Sequence, residues 1–439
     1  MTATERETAL AGLAEPARPG DQGARTPGGK RVVWKFGGTS VGDAGRLRAV
    51  AERLVAARRQ GMEVVAVLSA MGGTTDELVQ QAYGLAAEPQ PRELDALLSV
   101  GEMTSCALAA IAVHDLGERA VSLTGMQAGI CTDDAHGNAR LQQISPQRII
   151  KALDEGAIAL VAGFQGVSGH GDVTTLGRGG SDATAIALAS ALGARECDIF
   201  TDVPGVFTAD PRVVPDARKL TAVSHEEMLQ LADAGARVLQ TRAVELAAAH
   251  DIDIHVRSSF TSEPGTWIRR QTSALEDERI SGIAHAGHDP VYTVSCPSPA
   301  MVTAAMAQRG LAIGLILHDV QNVRFTAPGA GCAQVTAALA AMDLAVSVRD
   351  DLGSVSVVSS MVVNRSDITA IILSALENSG IHAQLITCMP SRVSCHVLAA
   401  DVGRAAQVLH DAFQLHAGEE SISGSPATEM PRTALAEVR

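Results

Sequence analysis

Three clusters of residues have the types and spacing to handle phosphate. In Lys35-Phe36-Gly37-Gly38-Thr39-Ser40 a lysine ends an apolar run beside two glycines. Their bare backbone can come close to a phosphate while the following helix points its positive end at the charge. The segment is not a Walker A motif, and a Gly-Gly pair alone marks only a turn. The second cluster is Thr174-Thr175-Leu176-Gly177-Arg178-Gly179-Gly180-Ser181-Asp182, just before an alanine-rich helix. Its glycines, arginine and hydroxyls form an anion-binding nest, with Asp182 placed to orient a cation or a lysine. The third, 201–212, groups Thr201, Asp202, Phe207, Asp210 and Arg212 around a Pro204-Gly205 turn, where acids and an arginine could meet a nucleotide's base or ribose. Smaller clusters are Ser69-Ala70-Met71-Gly72-Gly73-Thr74-Thr75-Asp76 and Gly101-Glu102. A lone glutamate in an apolar helix, such as Glu102, ordinarily faces water.

Holding these groups together requires a scaffold, and the sequence supplies one. Val32-Val33-Trp34-Lys35-Phe36 reads as a buried strand, ended by Gly37-Gly38 and followed by a helix over 43–59. The same alternation recurs with strands at 63–69, 120–123, 157–164, 196–201 and 253–257. Repeated β-α units with apolar strands predict an α/β fold, a mainly parallel sheet between helical layers. Ligands in such sheets sit at the carboxyl ends of the strands, where the glycine turns fall. Beyond residue 272 a shorter β-α-β-β-α pattern appears twice. Gly310-Leu311-Ala312-Ile313 and Val323 match Gly380-Ile381-His382-Ala383 and Val393 at a constant offset, whereas the opening strands at 291–296 and 355–360 are six residues closer. The first copy has therefore lost six residues between its first strand and the strand after its helix.

The 439 residues carry 35 Lys and Arg against 49 Asp and Glu, a net charge of −14 that repels nucleic-acid backbones and anionic lipid, so neither is an expected partner. The seven cysteines are scattered without a CxxC pair, which excludes a zinc framework of that spacing and predicts free thiols in a reducing, cytoplasmic compartment. No apolar stretch approaches the roughly 18 residues of a membrane span. Residues 1–30 read as a disordered extension and 416–439 as a flexible tail. Between them the sequence divides into 31–272, a shortened module at 280–350 and a second at 351–415. Only four lysines occur, and Lys35 alone ends a buried strand; Lys151 and Lys219 lie in polar contexts expected to be exposed.

Over 31–415 these residues resemble the aspartate kinase family of the amino acid kinase superfamily. The signatures are Lys35 to Val41, 69–76, Leu98-Ser99-Val100-Gly101-Glu102, Val161-Ala162-Gly163-Phe164-Gln165-Gly166, 176–182 and Thr201-Asp202-Val203-Pro204-Gly205-Val206. The two C-terminal modules resemble that family's ACT domains, which are α+β and ferredoxin-like. The resemblance implies transfer of the γ-phosphoryl group of ATP, taken with Mg2+, to the side-chain carboxylate of L-aspartate, opening the pathway to lysine, threonine and methionine. It implies catalytic roles for Lys35 and Asp182, and substrate contacts from Ser69, Thr75, Glu102, Arg178 and Ser181. Around the nucleotide it places Lys35, Gly37, Gly38, Thr201, Asp202, Phe207, Asp210, Arg212 and Arg237. No resident metal site is implied, and a homo-oligomer built through the ACT-like modules is expected.

Three departures from the family pattern stand out. Phe207 replaces a usual tyrosine and Arg237 a usual lysine. The acidic-Pro-Gly turn expected before the first ACT helix is Cys296-Pro297-Ser298-Pro299, and its counterpart in the second copy is Asn364-Arg365-Ser366-Asp367. These predict weak or absent inhibition by lysine and threonine. An amino acid kinase for a related acidic acceptor and a non-catalytic regulatory homologue remain the alternatives.

Overall fold

The computed structural model describes residues 30–236, 238–270, 280–295, 298–359 and 366–417. Residues 1–29 of the expected extension, 418–439 of the expected tail, and Arg237, Cys296, Pro297, Asn364 and Arg365 lie outside the described residues. The chain opens with β1 (Arg31–Phe36), α1 (Ala44–Arg59), β2 (Glu63–Leu68), α2 (Thr74–Leu85), α3 (Pro91–Leu98), α4 (Val100–Asp115) and β3 (Ala120–Leu123). It continues through β4 (Ile130–Thr132), β5 (Leu141–Ile144), α5 (Gln147–Asp154), β6 (Ile158–Ala162), β7 (Gln165–Val167), β8 (Val173–Thr175), α6 (Gly180–Ala191) and β9 (Glu196–Thr201). There follow β10 (Ala222–Ser224), α7 (His225–Asp233), α8 (Thr241–His250), β11 (Asp253–Ser258) and β12 (Thr266–Arg269).

These build an eight-stranded sheet in the order β10-β12-β11-β9-β1-β2-β6-β3. From β11 to β3 the strands are parallel; β12 runs against β11, and β10 follows β12. The order reverses at β1, which has β2 on one side and β9 on the other, and a crevice for a ligand opens at such a switch point. Strand periodicity decides which face each residue serves. Val32, Trp34 and Phe36 pack with Leu47, Val50 and Leu54 of α1, whereas Val33 packs with Ala185, Ile186 and Ala189 of α6. Lys35 shares the parity of Val33 and so projects onto the α6 face. Helix α1 begins where the Asp43 carboxylate accepts the Arg46 N–H at 2.9 Å and ends with Arg58 and Arg59 facing the negative end of its dipole. A second sheet has the order β5-β4-β7-β8.

One apolar stretch differs from expectation. The helical run Pro91–Asp115, 25 residues, is long and apolar enough by length and composition to cross a membrane. Its Cys106, Ala109 and Val113 are buried in the core shared with α1, and that packing accounts for their apolar character.

The remaining chain forms β13 (Ile280–Ala286), β14 (Val291–Ser295), α9 (Pro299–Gln308), β15 (Ile316–His318), β16 (Asn322–Thr326), α10 (Cys332–Ala340) and β17 (Val346–Arg349). After it come β18 (Leu352–Ser359), α11 (Ser366–Asn378), β19 (Leu385–Met389), β20 (Arg392–Leu398) and α12 (Val402–Ala412). Two four-stranded sheets result, β15-β16-β14-β17 and β19-β20-β18-β13, with the same spatial plan. Residues 280–286, expected in the first module, instead form β13, which pairs with β18 and completes the second sheet. The first module is thus inserted into the second, because β17 already occupies the edge beside β14 that β13 would have filled. The repeat register is visible in the backbone: Gly310 (φ 63°) and Gly380 (φ 68°) take the left-handed conformation just after α9 and α11. The six missing residues divide evenly. Residues 296–298 connect β14 to α9 where 360–365 connect β18 to α11, and α9 has 10 residues where α11 has 13.

Candidate active site

At the carboxyl end of β1, Lys35 Nζ lies 2.6 Å from Asp182 Oδ1, and both side chains are about nine-tenths buried. Asp182 stands in the first turn of α6, whose entry requires Gly177 and Gly179 at φ 74° and 71°, a region that strains residues with a β-carbon. A buried ion pair gains little net stability, but removing one partner costs about 3–5 kcal/mol because the other charge stays buried. Such a pair holds an ammonium at a fixed point with its remaining protons free to donate. On the opposite, α1 face of the sheet, Phe36 and Phe200 stack with centroids 4.7 Å apart, and Arg53 lies over the Phe200 ring at 4.6 Å. Burial and the neighbouring Arg257 lower the Arg53 pKa.

The glycine turn corrects one expectation. The Gly37 N–H donates to the Phe200 carbonyl at 3.1 Å, tying β1 to β9, and so is not available to a phosphate. Gly38 opens a short 3-10 turn, where the first N–H groups have no partner within the helix, and none of the described residues accepts its N–H. Its carbonyl accepts the Gly72 N–H at 3.1 Å, and a β-carbon at Gly38 would come 2.9 Å from the Ala70 carbonyl oxygen. This close approach brings the turns after β1 and β2 together, and with them Ser69.

Glu102, expected to face water, is buried at 4% exposure on α4. One carboxylate oxygen accepts the Ala70 N–H at 3.1 Å; the other is buried with no hydrogen-bond partner. Burial pushes its pKa up from 4.5 to about 7, against the lowering effect of its own and the Ala70 backbone N–H groups. Such a carboxylate has an unfilled place for a cation. Ser69, Thr75 and Ser181 make no side-chain hydrogen bond among the described residues, so their hydroxyls are free. Arg178 is exposed beside the α6 entry and has no ion-pair partner among the described residues.

A residue outside the expected set organises the wall. Asp95 on α3, 1% exposed, accepts the Thr175 hydroxyl at 2.5 Å and the Thr175 and Gly137 N–H groups at 3.0 Å, and contacts His136 Nδ1 at 2.9 Å. It pins β8 and the turn after β4 to α3, which sets where the Leu176-Gly177-Arg178 loop begins. Its signal was available: Asp95, Leu98 and Glu102 recur at 3 and 4 residues, one helical face carrying two acids among apolar neighbours.

The expected nucleotide residues converge less tightly. The Thr201 hydroxyl donates to Asp202 at 3.0 Å at the end of β9. Phe207 is half-buried and bridges Lys219 through the backbone. Arg212 grips Asp210 in a two-pronged pair at 3.0 and 2.7 Å, which lowers the Asp210 pKa. That loop packs through Ala209 and Val214 into the core of the second ACT-like module, and no described contact joins it to Lys35. Lys219, expected to be exposed, is 23% exposed and bonded to Glu263 at 3.0 Å and to the Pro264 carbonyl, whereas Lys151 is 76% exposed.

Residues 30–258 match the amino acid kinase family and residues 355–413 the ACT domain. The aspartokinase of Mycolicibacterium smegmatis is 42% identical over 411 residues, 89% of this chain and 98% of that protein. The chain belongs to the aspartokinase family. The aspartokinase of Geobacillus stearothermophilus is likewise 42% identical, over 88% of this chain and 97% of that one. Among solved structures, aspartokinase III of E. coli in complex with aspartate and ADP has a TM-score of 0.75 at 24% identity, covering 87% of this chain and 99% of that one, and so shares the fold. Aspartate kinase from Synechocystis is 34% identical with a TM-score of 0.51, covering 88% of this chain and 69% of that one.

Proposed function

We propose that this family member transfers the γ-phosphoryl group of ATP to the side-chain carboxylate of L-aspartate, giving 4-phospho-L-aspartate for the pathway to lysine, threonine and methionine. The observation that carries the reading is the buried Lys35–Asp182 pair at the switch point, in a fold that also holds a buried Glu102 with one unpartnered carboxylate oxygen. An aspartate carboxylate is already ionised at pH 7, so no general base is needed and catalysis reduces to positioning and neutralising charge. Lys35 Nζ, held by Asp182, donates to the phosphoryl oxygens as charge develops on them. The Gly38 N–H donates to the phosphates. Glu102 accepts from the substrate ammonium, Arg178 closes over its α-carboxylate with two parallel hydrogen bonds, and Ser69, Thr75 and Ser181 supply hydroxyls.

Thr201, Asp202, Phe207, Asp210, Arg212 and Arg237 surround the nucleotide in this reading, and Mg2+ enters with ATP as part of the substrate. The described cysteines are all free, in keeping with a reducing cytoplasm. Exposed Ile316 and Leu317 on the edge strand β15, and Ile386 and Met389 on the edge strand β19, suit assembly of a homo-oligomer through the ACT-like modules. The shortened β14 to α9 connection removes backbone that would wrap an effector, so lysine and threonine inhibit weakly or not at all. ADP release measured with aspartate, glutamate and N-acetylglutamate tests the acceptor: aspartate supports turnover at least a hundredfold faster than either, and equal rates would overturn the assignment.

A further inference from the structure

The two ACT-like modules end their second helices in the same way but with different side chains. In α10 the Asp343 N–H donates to the Ala340 carbonyl and the Leu344 N–H to the Leu339 carbonyl, with Asp343 at φ 55°. In α12 the Gln414 N–H donates to the Asp411 carbonyl and the Leu415 N–H to the His410 carbonyl, with Gln414 at φ 51°. Both are Schellman caps, in which the chain reverses and brings the residue after the cap back over the last helical turn. At three matched positions the first module has Leu339, Ala340 and Ala345, and the second has His410, Asp411 and His416. The fold therefore needs no polar side chain at any of the three.

His410 is fully buried. Its Nε2 lies 3.0 Å from the Thr208 hydroxyl of the kinase domain, whereas Nδ1 is buried with no partner. A ring nitrogen of His410, a carboxylate oxygen of Asp411 and a ring nitrogen of His416 lie within 4.8 Å of one another, and Asp411 and His416 are exposed. With Nε2 engaged by Thr208, Nδ1 is the nitrogen left to face the other two. For Nδ1 to bind a metal, the Nε2–H must donate to the Thr208 hydroxyl oxygen, which also accepts the Arg218 N–H at 2.9 Å; a second ring nitrogen donating to an oxygen fixes tautomer and orientation in metal sites. Two imidazoles and a carboxylate are a donor set for zinc, which takes His nitrogen at about 2.0–2.1 Å and leaves a fourth position to water. The exposed His416, and the exposed Asp411, whose carboxylate accepts only a surface hydrogen bond from Gln407 Nε2 at 3.2 Å, can shift to the ligand spacing of ~3.4 Å that a tetrahedral ion at that bond length needs. The helix C-terminus adds a favourable field for a cation, and Asp216, on the kinase-domain loop, adds another.

We propose that His410, Asp411 and His416 form a binding site for one divalent transition metal ion, of which Zn2+ is the representative, at the seam between the second ACT-like module and the kinase-domain loop that carries Thr208. This site is separate from the phosphoryl-transfer centre and does not depend on the acceptor assigned there. The test uses the full chain, freed of metal by a chelator and with its thiols blocked by N-ethylmaleimide. It is titrated with Zn2+ by calorimetry and with Co2+ by visible absorption. The expected result is one ion per chain with the absorption bands of tetrahedral Co2+. Binding should weaken at least tenfold in His416→Ala and in Asp411→Asn, whose exposed positions leave the fold intact. Thr208→Val, which keeps the ligands but removes the hydroxyl partner, should weaken it about tenfold. Absence of binding in the thiol-blocked wild type, or binding that His416→Ala and Asp411→Asn leave unchanged, would overturn the proposal.

Discussion

The kinase site and the two ACT-like modules are held to their sequences by different constraints. Around Lys35 the turns and buried charges are fixed by close contacts, Lys35 with Asp182, Gly38 with Ala70 and Gly72, and Ala70 with Glu102, while the Ser69, Thr75 and Ser181 hydroxyls and Arg178 have no partner among the described residues. Changing one moves the next. In the C-terminal modules the cores are kept, with Tyr292, Phe325 and Val302 filling one and Ile372, Val393 and Leu409 the other, while the connection ahead of α9 has halved in length against its counterpart. A ferredoxin-like module needs only its buried faces to fold, so its loops can change without penalty to stability. Phosphoryl transfer needs charges at fixed points, and the contacts that fix them reach across the strand ends.

The comparison can be broken most sharply at Lys35. Replacing it with alanine strands the Asp182 charge and, in the proposed reading, removes the hydrogen-bond donor to the phosphoryl oxygens, so kcat should fall by about a thousandfold or more in a coupled ADP assay. A fall below tenfold would mean that the buried pair is structural. Asp95→Ala comes next. It leaves the N–H and the hydroxyl of buried Thr175 without an acceptor, and chemical denaturation should show a loss of about 3 kcal/mol, at about 1–3 kcal/mol per unpaired group. An unchanged midpoint would show that the wall does not depend on Asp95.

Glu102 makes a pH prediction. Its carboxyl titrates near 7, so below that pH it is protonated and cannot hold an ammonium. For aspartate, kcat/KM should rise about tenfold per unit up to pH 7 and then level, and Glu102→Gln should lie about tenfold lower with that limb gone. The stability effect has the opposite sign. A carboxyl whose folded pKa is raised above its unfolded value opposes folding when ionised, a cost absent below about pH 4.5 and complete above about pH 7. Glu102→Gln should therefore be more stable than the wild type at pH 8, by on the order of 3 kcal/mol, and equal to it at pH 4. A pH-independent KM in the wild type would contradict the role. The smallest effect is expected in the modules: lysine plus threonine at millimolar concentration should change the rate less than twofold, and strong inhibition would restore an intact effector site.

The sequence made the large sheet legible because its strands are long apolar runs. The strands at 120–123 and 196–201 fall where the apolar runs end, and Asp43 marks the helix start. The second sheet was not legible, since β4, β7 and β8 have three residues each and show no period. Nor was the exchange of β13, because nothing local in Ile280–Ala286 says which of two similar sheets it joins. At the site, residue types singled out Lys35 and Asp182, which the structure pairs, but the contact of Glu102 with Ala70 spans thirty-two residues, and the loss of the Gly37 N–H depends on Phe200. The contact of His410 with Thr208 spans 202 residues and no pattern announces it.

The central claim is that these strand ends carry a carboxylate kinase for aspartate. Incubating the full chain with MgATP, hydroxylamine and each candidate acceptor, then identifying the trapped product by mass spectrometry, tests it directly. Aspartate 4-hydroxamate should form in step with ADP and be absent with Lys35→Ala. A hydroxamate of a different acid, or ADP release with no hydroxamate, would contradict it.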